Sequence, residues 1–260
     1  MCEVDTVLTM SSVNVPEPLL GEDTVLDNPV WYSLTGAHRE LAVIDHAAAR
    51  YPGEVSPFTA VAPGAGSQDW DRLAALARAD PVTVVESGVS GAGGVPATWA
   101  LLRRFELFQM CRADPGDEKA DSSPVAGWPE LEFVRLGAAE GAEMVQLAEH
   151  TRPGPFGRRT VELGVYFGLR HNGRLIAMAG ERLQPPGWSE VSAVCTEADY
   201  RGRGIARFLM ESVIEAVVAR GDRPFLHVVQ TNAPAIRLYR AMGFAVRRAQ
   251  TISSYQPESR

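Results

Sequence analysis

The chain is nearly empty of lysine. Lys119 is the only one, so almost all of the positive charge is arginine. Cysteine is also scarce: Cys2, Cys111 and Cys195 are scattered, with no CxxC pair and no histidines at metal spacing. That excludes a disulfide framework and a zinc site and leaves free thiols. No apolar run approaches the roughly 18 residues of a membrane span. The first twenty residues carry Glu3, Asp5 and Glu17 without a basic start, so neither a secretory signal nor a membrane anchor is expected, and the cytoplasm is the default compartment. The sequence GxxxxGK[ST] occurs nowhere, and GxGxxG is not met, because Arg207 stands where the third glycine belongs after Gly202 and Gly204. These absences weigh against nucleotide triphosphate and dinucleotide binding.

What is present is a globular composition. A chain of 260 residues that is 45% hydrophobic can bury a core in one large or two ordinary domains. Its charge is uneven. Up to Pro129 there are 8 positive and 18 negative residues, a net of −10; from Glu130 onward there are 17 and 14, a net of +3, and together these give −7. An acidic surface disfavours nucleic acid, whose binding rests on neutralising phosphates.

One stretch organises the rest. Val191–Ala219 begins as a β-branched run, passes through Arg201-Gly202-Arg203-Gly204-Ile205-Ala206, and continues with apolar residues at Ile205, Phe208, Leu209, Val213, Ile214 and Val217. That pattern predicts strand, glycine loop and helix. A helix N-terminus carries unpaired N–H groups and about half a positive charge, so a glycine loop leading into it can hold a pyrophosphate. Arg201, Arg203 and Arg207 add positive charge where a helix without an anion would favour carboxylates. The stretch matches R-x-x-G-x-A, and after a further strand over Arg223–Gln230 comes Asn232-Ala233-Pro234-Ala235-Ile236-Arg237-Leu238-Tyr239-Arg240-Ala241-Met242-Gly243-Phe244. In both motifs and their order the chain resembles the GNAT family of acyl-CoA-dependent N-acetyltransferases, over roughly Glu130–Gln256.

The resemblance implies an α/β GNAT fold in the C-terminal half, a mixed, mostly antiparallel central sheet flanked by helices. It implies a coenzyme A site made by Val194, Cys195, Thr196, Arg201, Gly202, Arg203, Gly204, Ile205, Ala206 and Asn232, with acetyl-CoA as the cofactor. Tyr239 falls at the family's usual general acid. Glu190, near the start of the central strand, falls at the position of the glutamate base in some members; Glu181 and His227 are the alternatives. The acceptor implied is a primary amine of a small molecule or of a protein or peptide. A non-catalytic acyl-CoA-binding module is the competing reading. The family often has proline where Ala198 stands, which loosens the turn but removes no chemical group.

Upstream, residues 1–26 read as a peripheral segment and residues 27–113 as an α/β domain, with Asn28 and Pro29 starting a helix, a helical pattern over Gly36–Ala49, a strand over Val55–Ala62, a helix over Gln68–Ala79, and strands over Pro81–Ser87 and Phe105–Met110. Gly88–Gly94 reads as a flexible loop rather than a second phosphate loop. Residues 114–129 have the composition of a linker, leaving 130–260 as the acetyltransferase domain. Some family members carry a second, degenerate GNAT-like half, and the N-terminal half is expected to be such a repeat. No partner beyond the acceptor, neither nucleic acid nor membrane, is expected; oligomeric state is open.

Overall fold

The structure is a computed structural model that describes residues 24–78, 80–86, 94–112 and 129–257. Nearly all of the expected peripheral start, of the glycine-rich loop and of the linker lies outside the described residues.

Asn28 starts the first helix as expected: its Oδ1 accepts from the amide of Trp31, with proline in the first turn, and α1 runs Pro29–Thr35. The expected helix over Gly36–Ala49 is not formed. Those residues make a short 3-10 turn, Arg39–Leu41, then β1 (Val43–Asp45) and β2 (Ala48–Arg50), joined at His46, whose φ is 51°. The alanines suit a helix by propensity, but Ala48 and Ala49 are both fully buried, one against the α2 core and the other against the α1 core. A strand sandwiched between two helices needs side chains this small, and tertiary packing overrides propensity. β3 (Thr59–Val61), α2 (Ser67–Ala77), β4 (Val82–Glu86) and β5 (Ala100–Arg112) follow.

The C-terminal half runs β6 (Leu131–Leu136), α3 (Gly141–Thr151), β7 (Tyr166–His171), β8 (Arg174–Glu181), β9 (Trp188–Thr196), α4 (Ile205–Ala219), β10 (Arg223–Val229), α5 (Ala233–Ala241) and β11 (Phe244–Gln256). Eight strands form one sheet in the order β4-β11-β5-β10-β9-β8-β7-β6, and β1-β2-β3 form a smaller one. Within these two sheets the β9–β10 pair is parallel and every other ladder antiparallel. The large sheet draws on both sides of residues 113–128, because β5 lies between β10 and β11.

A strand–loop–helix–strand unit lies on each side of the central β5–β11 pair. On one side β9 leads through a glycine loop and α4 into parallel β10. On the other, β3 leads through Gly64 and Gly66 and α2 into β4, and Phe58, just before β3, meets β4 in parallel at an isolated bridge to Thr83. One core, with α4, lies on one face of the C-terminal strands, containing Val191, Leu209, Val213, Leu226 and Val228. The opposite face packs Trp188 and Phe225 against Leu26, Val30, Tyr51 and Phe58 of the N-terminal half.

Candidate active site

The site begins where two parallel strands part. β9 and β10 are paired over Trp188–Glu190 and Arg223–Phe225, and there the ladder stops although both strands continue. Just beyond, β9 carries a bulge: Cys195 faces Met178 and Ser192 faces Gly180, so Ala193 and Val194 together stand opposite Ala179. Ala193 has φ of 53°, a left-handed conformation rare for a residue with a Cβ and costly within a strand. A bulge of this kind re-aims the residues after it, here Val194, Cys195 and Thr196. Thr196 is 8% exposed, and its Oγ1 is buried without a hydrogen-bond partner among the described residues. A buried hydroxyl without a partner costs about 1–3 kcal/mol. It marks where a ligand atom would fit.

The glycine loop closes this end of the gap. Gly202 and Gly204 have φ of 75° and 78°, and a Cβ at either would meet nothing within 4 Å. Conformation, not crowding, demands glycine there, and the space above the loop is open. Gly204 caps α4 without a side chain, and the first turn of α4 has no acidic residue. The N–H groups beginning with Ile205 and Ala206 are therefore left to an outside acceptor. Arg201 is tied back through its Nε to the carbonyl of Thr196, 3.1 Å away. The Arg203 guanidinium lies 5.3 Å above the ring of Tyr200, whose hydroxyl meets His171 Nδ1 at 2.5 Å. Arg207 faces Glu211 at 3.9 Å.

Glu190 occupies the apex of the gap, opposite Phe225 in the last paired position. Its side chain is wholly buried. Arg182 forks onto both oxygens, at 2.9 and 2.5 Å, and His227 Nδ1 lies 2.7 Å from Oε1. His227 Nε2 continues to Gln250 Oε1 at 2.7 Å. Burial by itself pushes the Glu190 carboxyl up, but Arg182 and His227 outweigh it and hold it down at about 2. Both of its oxygens are thus already engaged. Glu181, one of the alternatives, is also buried, bound by Arg220 and by Ser189 Oγ at 2.7 Å, which ties β8 to the C-terminal end of α4.

Tyr239 lies across the sheet from Glu190, on α5 against the α4 core. Desolvation pushes its phenol up to about 12. Asn232 caps α5, its Oδ1 accepting from Ala235 at 3.2 Å. Cys195 is buried and its thiol is pushed up to about 11 by desolvation, the opposite of what a nucleophile needs. The residues that the sequence did not point to are Arg182 and Gln250. The one available signal for Arg182 was the charged pair Glu181-Arg182 closing an otherwise apolar strand.

Comparison with known proteins agrees with this architecture. The family profile described as FR47-like protein matches residues 166–253. The N-alpha-acetyltransferase RimI of Mycobacterium tuberculosis is 39% identical over 82 residues, 30% of this chain and 51% of that protein. A mycothiol acetyltransferase of Corynebacterium aurimucosum is 36% identical over 62 residues, 24% of this chain and 20% of the relative. The chain therefore spans about half of the length of the first of these curated relatives and a fifth of the second. A crystal structure of a GNAT-family protein from Novosphingobium aromaticivorans is 40% identical, superposes with a TM-score of 0.76, and is matched over 90% of this chain and 99% of its own. With that coverage and identity, the chain belongs to the GNAT family.

Proposed function

We propose that the protein is an acetyl-CoA-dependent N-acetyltransferase acting on a primary amine of a small molecule or of a protein or peptide. The observation that carries this reading is the α4 N-terminus behind two left-handed glycines, beside a buried Thr196 hydroxyl where β9 and β10 part, both without a side-chain partner among the described residues. These groups fit coenzyme A. Backbone N–H groups of residues 202–206 would take the pyrophosphate, with Arg201 and Arg203 offsetting its charge. Val194, Cys195 and Thr196 would line the pantetheine arm, and Asn232 would hold the start of α5 against its far side. Acetyl-CoA supplies the acyl group as an activated thioester.

An amine of pKa about 10 arrives protonated and must lose a proton before it can attack. Glu190 is an anion at any physiological pH, and from the apex it would hold Arg182 and His227 in place beside the acceptor. With its carboxyl near 2 it does not keep the proton, which leaves through water. Tyr239, protonated at neutral pH, donates to the departing thiolate. The names of the relatives support both acceptor classes, since one is an N-alpha-acetyltransferase and the other a mycothiol acetyltransferase.

The test is thiol release from acetyl-CoA over a panel of small amines and peptides with free N-termini. Tyr239→Phe is expected to lower kcat at least about tenfold with acetyl-CoA affinity unchanged; equal rates would remove Tyr239 from the mechanism. The occupied oxygens of Glu190 favour one other reading, a non-catalytic acyl-CoA-binding module. Tight binding with no release over the whole panel would establish it.

A further inference from the structure

The mouth of the gap between β9 and β10 is continuous with a free strand edge. β10 pairs with β5 from Phe225 opposite Cys111 to Val229 opposite Leu107, and the chain then turns away into α5. Residues 100–106 of β5 run on past that point, all of them exposed, with β11 as their one neighbouring strand among the described residues. The amide of Gln230, just past β10, still donates to the carbonyl of Glu106 at 3.0 Å, so the backbone of Glu106 faces the β10 side. In an antiparallel ladder that direction alternates, and the next N–H and C=O on this side belong to Arg104. No strand of the described residues lies opposite them.

Side chains carry the gap onto this edge as well. By alternation Phe225, His227 and Val229 share one face of β10, the face on which His227 meets Glu190. Leu107 stands opposite Val229, and Phe105 follows it on the same face of β5. Val229 is 38% and Phe105 49% exposed, so two open apolar side chains lead from the gap to the free edge. A small amine held in the gap uses neither the edge nor these side chains. An extended peptide uses both: its own N–H and C=O groups can add it to β5 as a strand, and an apolar residue near its start can lie against Phe105. We propose that the acceptor is the N-terminal segment of a peptide or protein, docked as an added strand along residues 100–106 with a large apolar side chain over Phe105 and Val229. This rests on the acetyltransferase reading for the placement of the amine in the gap; the docking is measured apart from turnover.

The probe is a hexapeptide, Ala-Ala-Phe-Ala-Ala-Ala, with a free N-terminus and a fluorophore at its C-terminus, followed by anisotropy on the full chain saturated with coenzyme A. Two variants of it are N-methylated at alternate residues, one in each register. The parent peptide is expected to bind saturably; the variant methylated on the side facing β5 should bind at least about tenfold more weakly, and the other within about threefold of the parent. Arg104→Pro removes the outward amide and spares the ladder to β11, and proline is tolerated on an edge strand. Checked for unchanged folding, it should weaken the peptide at least about fivefold, whereas Arg104→Ala, which keeps that amide, should change it less than about twofold. Phe105→Ala should abolish the preference for this peptide over hexa-alanine. No saturable binding up to about 1 mM, equal binding of the two methylated peptides, or equal effects of Arg104→Pro and Arg104→Ala would overturn the proposal. So would self-association of the chain that Arg104→Pro abolishes, which would make the edge a contact between copies. Thiol release from acetyl-CoA is read separately with the same peptide: binding of the expected pattern without release would end the acetyltransferase reading and uphold the dock.

Discussion

The two glycine loops of this chain use one backbone device and reach opposite ends. In both, a strand runs into a left-handed glycine, Gly204 or Gly64, with open space above it, and then into a helix followed by a parallel strand. At α4 the protein leaves its own groups unsatisfied: no acid sits in the first turn, and among the described residues no side chain caps the helix and Thr196 Oγ1 lacks a partner. At α2 the protein satisfies them itself, with Asp69 on the Gly66 amide and Asn28 on the Val61 carbonyl. A glycine loop before a helix is thus permission for an anion, and neighbouring side chains decide whether one is needed. Arg182 joins the two units, forking onto Glu190 at one apex while its guanidinium lies 5.0 Å over the ring of Phe58 at the other.

Arg182→Met breaks that junction most severely. It leaves a buried carboxylate with one of its two charged partners gone, and removing one partner of a buried pair costs about 3–5 kcal/mol. Urea unfolding should show a loss of that size. A change under about 1 kcal/mol would mean that His227 alone compensates Glu190. Next in size is the matched pair of loop substitutions. Gly204→Asp is expected to weaken acetyl-CoA at least a hundredfold, about 2.8 kcal/mol, by placing a carboxylate at the pyrophosphate site. Gly64→Asp, with the same φ and the same open space, should change it less than twofold. Equal effects would make backbone strain the cause.

The acid limb of stability sharpens the comparison further. The folded carboxyl of Glu190 lies near 2, below its ordinary 4.5, so the folded state binds that proton less readily than the unfolded chain. Its contribution is present above pH 4.5 and is lost as the pH falls toward 2. Glu190→Gln should therefore flatten denaturation curves over that window; an unchanged slope would contradict the buried ion pair. The smallest effect is expected at the α2 loop, where Asp69→Asn removes one carboxylate from a helix N-terminus and should cost about 0.5–1 kcal/mol.

The sequence made the C-terminal site legible because its signal is local. Strand, loop and helix are contiguous from Trp188 to Ala219, and Glu190, Thr196 and Gly204 all fall on that run. The fork of Arg182 on Glu190 was not legible, because it joins residues brought together by β8 and β9, and the continuation through His227 to Gln250 crosses β10 to reach β11. The insertion of β5 between β10 and β11 was hidden for the same reason, since an apolar strand does not declare its partners. The helix expected over Gly36–Ala49 failed because alanine propensity is weak beside the demand of a strand buried on both faces.

The most direct test of the central difference is the stoichiometry of acetyl-CoA binding to the intact chain by calorimetry. One site per chain is expected, abolished by Gly204→Asp and kept in Gly64→Asp. Two sites, or a single site that survives Gly204→Asp and disappears in Gly64→Asp, would contradict it.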